Sequence, residues 1–314
     1  MPSSAVRTFT DPDDYAVSAR GTTAELSVTG RGVFRAKRIL VDLQHLRLQQ
    51  CTDNLPRIAH SANDPGYATI SLRARPGPGL RRNGVEMLES NLIRRRHAET
   101  FFQQSDGPVC FGSVSLPLEA AAAIGAAMKC DLMPPRDATT VVPPRAALHR
   151  LLRLHTATVQ LAEGTPAVLT QPEVARGLEQ ALIEAVAACL DGGTIQEDTA
   201  SLRKHAAIMR RFHAAIEGHL DQPLYIPELC AEIGTSERTL RVCCQEQLGV
   251  SPKRYLLLRR MHMARRALRT STPADTTVTE IATRYGFWQF GRFACEYKGL
   301  FGESPSAMLA RPAA

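Results

Sequence analysis

The sequence lacks the features that mark secreted and membrane-spanning proteins. No apolar core follows a basic start at the amino terminus, which argues against a signal peptide. The longest apolar run, Ala120 to Met128, has nine residues, whereas a membrane-spanning helix needs about 20. We therefore expect a cytoplasmic protein that does not bind membranes.

Grouped metal ligands and grouped catalytic residues are also lacking. The eight cysteines occur at positions 51, 110, 130, 189, 230, 243, 244 and 295, without a Cys-x-x-Cys pair. His45, His60 and His97 lie too far apart to indicate two ligands on one strand, although zinc sites usually show such pairs. We expect free and mostly buried thiols, no metal and no cofactor. No Ser, His and Asp grouping indicates catalysis, so we expect that the protein is not an enzyme.

Apolar and polar residues alternate between positions 20 and 116. The run from Ala68 to Leu72 has the period of two that is typical of half-buried β-strands. Asn83-Gly84 predicts a tight hairpin turn, because this dipeptide tolerates positive φ. Residues 109–116 predict two strands that are kinked at Gly112. This part is expected to form an antiparallel barrel or sandwich.

Helical patterns follow from Pro117 and divide the chain. Residues 145–162 and 172–190 each carry an apolar stripe on one face. The second stripe is expected either to form a weak homodimer contact or to pack against its own β-rich part. Gly192-Gly193 and the polar residues after it predict a linker. The predicted fold class is α+β: residues 1–195 form a β-rich, cupin-like barrel domain with helices, and residues 196–314 form an all-α domain.

The carboxy-terminal region contains one segment twice, at a spacing of 52 to 53 positions. The first copy runs from Glu228-Leu229-Cys230-Ala231-Glu232-Ile233-Gly234-Thr235-Ser236 to Gly249-Val250-Ser251-Pro252, and the second from Glu280-Ile281-Ala282-Thr283-Arg284-Tyr285-Gly286-Phe287 to Gly302-Glu303-Ser304-Pro305. Two short helices joined by a Gly turn are typical of the helix-turn-helix. The sequence therefore predicts two such units in tandem that bind double-stranded DNA.

The excess of positive charge lies with the repeat. Residues 201–314 contain 17 Lys and Arg against 10 Asp and Glu, whereas residues 1–200 contain 21 of each kind. A positive domain is drawn to the phosphate backbone, because neutralising phosphates releases condensed counterions. The distribution of charge thus favours nucleic acid as the partner of the second domain.

In the first copy, a helix of about residues 237–247 is expected to follow a cap at Ser236. Burial of Leu240 and Cys244 turns the opposite face outward. The candidate DNA contacts of this copy are Ser236, Arg238, Thr239, Arg241 and Gln245. The two arginines are expected to read guanine in the major groove, with phosphate binding as the alternative.

In the second copy, Phe293 and Tyr297 form the expected buried pair. The candidate DNA contacts are Gln289, Gly291, Arg292, Cys295 and Lys298. Few of these side chains can donate to a base, so this unit is expected to hold phosphates and sense groove shape. Between the copies, residues 253–269 predict a helix of roughly 25 Å that sets the spacing of the two units.

These motifs resemble the signature of the AraC/XylS family of bacterial transcription regulators. The resemblance rests on Val278-Thr279-Glu280-Ile281-Ala282-Thr283-Arg284-Tyr285-Gly286-Phe287, Phe293, Tyr297-Lys298, Phe301-Gly302 and Ser304-Pro305 and covers, with the first copy, about residues 205–311. It implies a seven-helix domain that reads two adjacent major grooves, usually in an activator that contacts RNA polymerase. The base readers that it implies are Arg238, Arg241 and Val242, then Gly291 and Cys295. Gly291 and Cys295 replace side chains that commonly reach bases.

The β-rich half resembles, more loosely, the cupin-like effector domains that precede this module in the family. The expected function is a sequence-specific, DNA-binding transcription regulator, an activator that responds to a small-molecule effector. One alternative is a cupin-like metal enzyme or sensor enzyme fused to a DNA-binding module. The other is an architectural DNA binder without a ligand, for which a filled β interior is expected.

Overall fold

The computed structural model describes residues 2–19, 24–219 and 225–311. Residues 20–23, at the start of the predicted strand region, lie outside the described residues. The strands of the described chain are β1 Ser3–Phe9, β2 Ala24–Val28, β3 Ala36–Asp42, β4 Arg47–Asp53, β5 Arg57–Ala62, β6 Tyr67–Arg73, β7 Leu80–Arg82, β8 Val85–Glu86, β9 Leu92–Arg94, β10 Thr100–Ser105, β11 Val109–Pro117, β12 Thr139–Val142 and β13 Thr194–Gln196. The β-rich amino-terminal part is thus confirmed.

The helices lie mostly in the second half of the chain. They are α1 Pro12–Val17, α2 Leu118–Met128, α3 Arg145–Gly164, α4 Pro166–Leu169, α5 Pro172–Asp191, α6 Ala200–Gly218, α7 Ile226–Glu232, α8 Glu237–Leu248, α9 Pro252–Thr270, α10 Val278–Arg284, α11 Phe290–Phe301 and α12 Pro305–Leu309. From α6 onward the described elements are all helices, which confirms the predicted α+β class. No helix of the described chain is long and apolar enough to span a membrane.

The strands form two antiparallel sheets. The large sheet has the order β1-β3-β4-β11-β6-β9-β12-β13, and the small sheet has the order β2-β5-β10-β7-β8. Apolar side chains of β2 and β5 pack against those of β3 and β4 between the sheets. Arg57 is buried in the same space, where its Nε donates to Asp53 Oδ2 at 3.2 Å and its Nη2 to Gln103 Oε1 at 2.8 Å. Side chains therefore fill this part of the interior.

The structure confirms the hairpin predicted in the β-rich part and contradicts the predicted kink. Asn83 and Gly84 have φ values of 48° and 82° and join β7 to β8, which confirms the tight hairpin. The prediction of a kink at Gly112 is wrong, because β11 runs unbroken and pairs with both β4 and β6. A Cβ at Gly112 would lie 2.4 Å from His155 Nε2. The glycine is needed for the close approach of α3, not for a bend.

The helices α3 and α5 cover the outer face of the large sheet. The apolar stripe of α5, including Leu182, Ala185 and Cys189, is buried in the core that these helices share with the sheet. Of the two expectations for this stripe, packing against its own domain is the one that the structure shows. The homodimer contact expected there stays a prediction, since Val174, Leu178 and Ala181 of the same stripe are only partly buried.

The small sheet packs its outer face against the carboxy-terminal helices. Ile58 of β5 and Phe102 of β10 enter one apolar core with Phe212 of α6, Leu240 of α8 and Tyr255 of α9. The two predicted parts of the chain thus share a buried seam. The division at residue 195 stays a prediction; it falls within β13, which pairs with β12.

Candidate DNA-binding surface

The first helix-turn-helix unit consists of α7, a turn and α8. Gly234 has a φ of 65°, the left-handed conformation that glycine adopts without strain. The cap predicted at Ser236 is present, since its Oγ accepts from the backbone N–H of Thr239 at 3.1 Å. The turn and the cap together fix the direction in which α8 leaves the unit.

The helix α8 separates a buried face from an exposed face as predicted. Leu240 and Cys244 are fully buried. The exposed residues include Arg238, Arg241 and Gln245. The sequence-based choice of the outward face is therefore confirmed, whereas the DNA contacts themselves stay a prediction.

The two arginines of α8 are available to a ligand. Among the described residues, neither the guanidinium of Arg238 nor that of Arg241 has an ion-pair or hydrogen-bond partner. The other candidates are partly engaged within the protein: Gln245 Nε2 donates to Gly249 O at 3.3 Å, and Thr239 Oγ1 lies 2.8 Å from Ser236 Oγ. The arginines are thus the strongest donors on this face.

The second unit repeats the geometry with α10 and α11. Thr277 and Glu280 form a reciprocal capping box at the start of α10, and Gly286 has a φ of 73°. Phe293 and Tyr297 are buried, as the sequence predicted. This core faces α9, whose Leu258 and Met261 belong to the same cluster.

The exposed face of α11 differs in chemistry from that of α8. The exposed candidates are Gln289, Gly291, Arg292, Cys295 and Lys298. Arg292 Nε donates to Glu296 Oε1 at 2.8 Å, so its charge is already paired. Apart from its chain neighbours and the backbone of its own helix, no described residue lies within 4 Å of the position that a Cβ would take at Gly291. Lys298 is the candidate whose charge has no partner within the described part of the chain.

Sequence reasoning missed two exposed aromatic side chains beside α11. Trp288 is 74% exposed and Phe290 is 42% exposed, on either side of Gln289. The available signal was the run Phe287-Trp288-Gln289-Phe290, in which the buried Phe287 leaves the other two aromatics outside the core. Large exposed aromatics at the start of a recognition helix are unusual unless a partner covers them.

Part of the positive charge of α9 is paired with acidic side chains near the amino terminus. Arg265 donates to Asp11 Oδ2 at 2.5 Å and to Asp13 Oδ2 at 3.2 Å, and Arg269 donates to Asp14 Oδ1 at 2.7 Å. Burial alone would raise the pKa of Asp11, but Arg265 and Arg269 lower it below its ordinary value. Part of the charge excess therefore binds the amino-terminal part of the chain instead of phosphate.

Comparisons with known proteins agree with this geometry. A family model described as "Helix-turn-helix domain" matches residues 229–311. The "Probable thc operon regulatory protein" of Rhodococcus erythropolis is 37% identical over 159 residues, which cover 48% of each chain. The "XylDLEGF operon transcriptional activator 3" of Pseudomonas putida is 35% identical over 96 residues, or 31% of this chain and 29% of that one. The chain thus spans about half or less of the length of these two relatives.

One solved structure matches part of this chain over nearly the whole length of the solved protein. It is the crystal structure of a "probable AraC family transcriptional regulator" from Rhodopseudomonas palustris, with a TM-score of 0.30. The sequences are 36% identical over 33% of this chain and 98% of that chain. The family signature, the matched model and the sequence identity to the curated relatives lead to one conclusion: the carboxy-terminal region is a helix-turn-helix domain of the AraC/XylS type.

Proposed function

We propose that the protein is a sequence-specific DNA-binding transcription regulator that places α8 and α11 in two adjacent major grooves. The observation that carries the proposal is the exposed face of α8, where Arg238 and Arg241 have no partner in the described chain. A guanidinium fork matches the O6 and N7 acceptors of guanine, and the base edges are open in the major groove. The rigid caps of α8 support the precise placement that such readout requires.

The printed name of one relative supports a direction of regulation. The matched protein of Pseudomonas putida is named a transcriptional activator, and we propose activation through contact with RNA polymerase for this chain as well. We propose a non-enzymatic role in the cytoplasm. The exposed Trp288 and Phe290 offer a surface either for DNA or for such a protein partner.

We also propose a small-molecule effector and a place for it. A cleft of about 390 Å³ lies between β7, β9, the residues before β12 and α6, within the size range of small-molecule sites. Arg96, Arg136 and Arg210 line it, and their side chains have no partner within the described ranges. The cleft touches both the β-rich part and the first helix of the DNA-binding part, so a ligand there contacts both.

Selection from a pool of randomised duplexes tests the DNA-binding function. The full chain is expected to enrich one motif with two half-sites whose centres are about 10 base pairs apart. Fluorescence anisotropy with the enriched and a scrambled duplex then gives the specificity ratio at a stated salt concentration. A pool that shows no enriched motif after selection, with a protein that is folded, would contradict the proposal.

A further inference from the structure

Three metal-ligating side chains meet at the seam between β2 and α6. Glu25 belongs to β2, and His213 and Glu217 belong to α6. The four-residue spacing places His213 and Glu217 on one face of the helix. Their ligand atoms and a carboxylate oxygen of Glu25 all lie within 4.8 Å of one another. Two parts of the chain that are almost 200 positions apart thus converge on one point.

The histidine at this point is buried and unsatisfied. His213 is 9% exposed, and its Nε2 has no hydrogen-bond partner among the residues that the structure describes. Glu217 Oε1 lies 3.9 Å from this nitrogen, which is too far for a hydrogen bond. Buried polar atoms in folded proteins almost always have a partner. The nitrogen is therefore free to bind a further partner, and an ion held by the neighbouring carboxylates is one that fits.

A second imidazole stands next to the first. His60 stacks on His213 with ring centroids 3.6 Å apart. It also pairs directly with Glu25 in the register of β5 and β2. The cluster therefore holds two imidazoles and two carboxylates, the ligand types that suit first-row transition metals.

Among the described residues, Arg259 is the arginine that pairs with both carboxylates. Its Nη2 donates to Glu25 Oε2 at 3.2 Å and to Glu217 Oε1, while its Nη1 has no partner in the described ranges. One positive charge faces two negative charges, so the group keeps a net negative charge. A cavity of about 140 Å³, lined by Glu25, Glu217 and Arg259, provides room beside them.

We propose that Glu25, His213 and Glu217 form a binding site for a divalent transition-metal ion, with Zn²⁺ as the ion that fits the set. Imidazole nitrogen and carboxylate oxygen are common zinc ligands, with bonds of about 2.0–2.2 Å. A tetrahedral ion draws the ligand atoms to about 3.3–3.5 Å from one another. Glu25 is partly buried and Glu217 is exposed, so both can close this gap by rotating their side chains. Water supplies the fourth ligand.

Metal and arginine compete for the same oxygens. When the ion binds, Arg259 loses its bridge between Glu25 and Glu217, and the ion takes its place between β2 and α6. The metal therefore tightens the contact of α6 with the small sheet and loosens that of α9. The competition predicts that removal of the Arg259 charge strengthens metal binding at this site.

Isothermal titration calorimetry of the chelator-treated full chain with ZnCl₂ tests the proposal. A Cys295→Ser background removes the exposed thiol. The expected result is one Zn²⁺ per chain, with a Kd weakened about tenfold or more in Glu217→Gln and in His213→Ala. Arg259→Met is expected to tighten binding, because the competing cation is gone. Thermal unfolding of each variant, with and without zinc, shows that it is folded and reports the stabilisation by the ion.

A matched control exists on the same helix. His205 Nδ1 lies 2.5 Å from Glu246 Oε2, a histidine–carboxylate pair outside the one three-ligand group found in the described chain. His205→Ala is expected to leave the Kd for Zn²⁺ unchanged. Glu25→Gln lies on a different element and repeats the test if His213→Ala does not fold. Absence of zinc binding, equal weakening by His205→Ala, or weaker binding by Arg259→Met would each overturn the proposal.

Discussion

The two recognition helices share a scaffold and differ in their surface. In both units the turn glycine has a positive φ, 65° at Gly234 and 73° at Gly286. Both helices also end at a left-handed glycine, followed by a serine that caps the next helix. The repeated backbone is thus set by residues that are buried or that occupy special conformations. Those residues do not determine what the exposed face of either recognition helix binds.

The outer faces have different capacities for reading DNA. The α8 face presents two guanidinium groups without a partner in the described part of the chain, whereas the α11 face presents Gly291, the ion-paired Arg292 and the exposed Trp288. We interpret α8 as the reader of sequence and α11 as the holder of the backbone. One chain can therefore keep two copies of a fold while only one copy carries most of the specificity.

The largest effect is expected on the core of the second unit. Phe293 is 2% exposed and packs against Phe287, with ring centroids 4.7 Å apart. Phe293→Ala is expected to lower the free energy of unfolding by about 3–5 kcal/mol, which urea denaturation measures. Tyr297→Phe is the control, because the buried hydroxyl of Tyr297 has no partner, and its loss should cost little. Equal losses in both variants would mean that Phe293 is not a core residue.

The next effect concerns the reading surface of the first unit. Arg238→Ala and Arg241→Ala are each expected to weaken binding to the selected site by about 1–3 kcal/mol, and binding to scrambled DNA by much less. Anisotropy titrations on both duplexes measure the difference. Arg238→Lys keeps the charge but loses the fork. If lysine restores full affinity, the contact is to phosphate and α8 is not the reader.

Acid is expected to weaken the contact of α9 with the small sheet. Burial lowers the pKa of His262 to about 3, even though its ring lies 3.2 Å from Val28 O and bonds to it. The folded protein therefore binds this proton less readily than the unfolded chain, and stability falls as the pH drops from about 6.5 towards 3. The expected loss from this residue is about 2 kcal/mol at pH 5.

Unfolding by urea between pH 5 and 8 checks this dependence. His262→Gln keeps a donor for Val28 O and cannot titrate in this range. The variant is expected to show a flatter dependence of stability on pH than the parent protein. The same slope in both proteins would assign the acid sensitivity to other groups.

The smallest effect is expected at the second unit's surface. Lys298→Ala and Arg292→Ala are expected to lower affinity for all duplexes without changing the selected motif. Loss of one phosphate contact reduces the slope of log K against log salt by about 0.9. Because Arg292 is paired with Glu296, Lys298→Ala should change the slope more. If a repeated selection with either variant gave an altered motif, α11 would also read base sequence. The two units would then not differ in this respect.

Sequence alone predicted the features that depend on near neighbours. The spacing of Leu240 and Cys244, and that of Phe293 and Tyr297, determines which face of each recognition helix is buried. The cap at Ser236 and the hairpin at Asn83 likewise depend on a few adjacent residues. These predictions were correct because helix periodicity and turn conformation are local properties.

Contacts between distant segments were beyond sequence reasoning. Nothing in the pattern around Arg265 shows that its partners are Asp11 and Asp13, more than 250 positions away. The sequence likewise does not show that His155 approaches Gly112. A glycine in an unbroken strand was therefore interpreted as a kink. Pairings of this kind depend on how the elements pack. For that reason the charge excess of residues 201–314 overstates the positive charge that is available to phosphate.

The ion pairs of α9 are expected to limit the spacing between half-sites in the DNA that the protein binds. This helix joins the two reading units, and its Arg259, Arg265 and Arg269 tie it to the amino-terminal part. One base pair inserted between half-sites moves the second by about 3.4 Å and turns it by about 35°. A helix that is anchored along its length cannot follow that rotation by bending. The regulator should therefore tolerate base changes within a half-site better than a change of one base pair in the distance between half-sites.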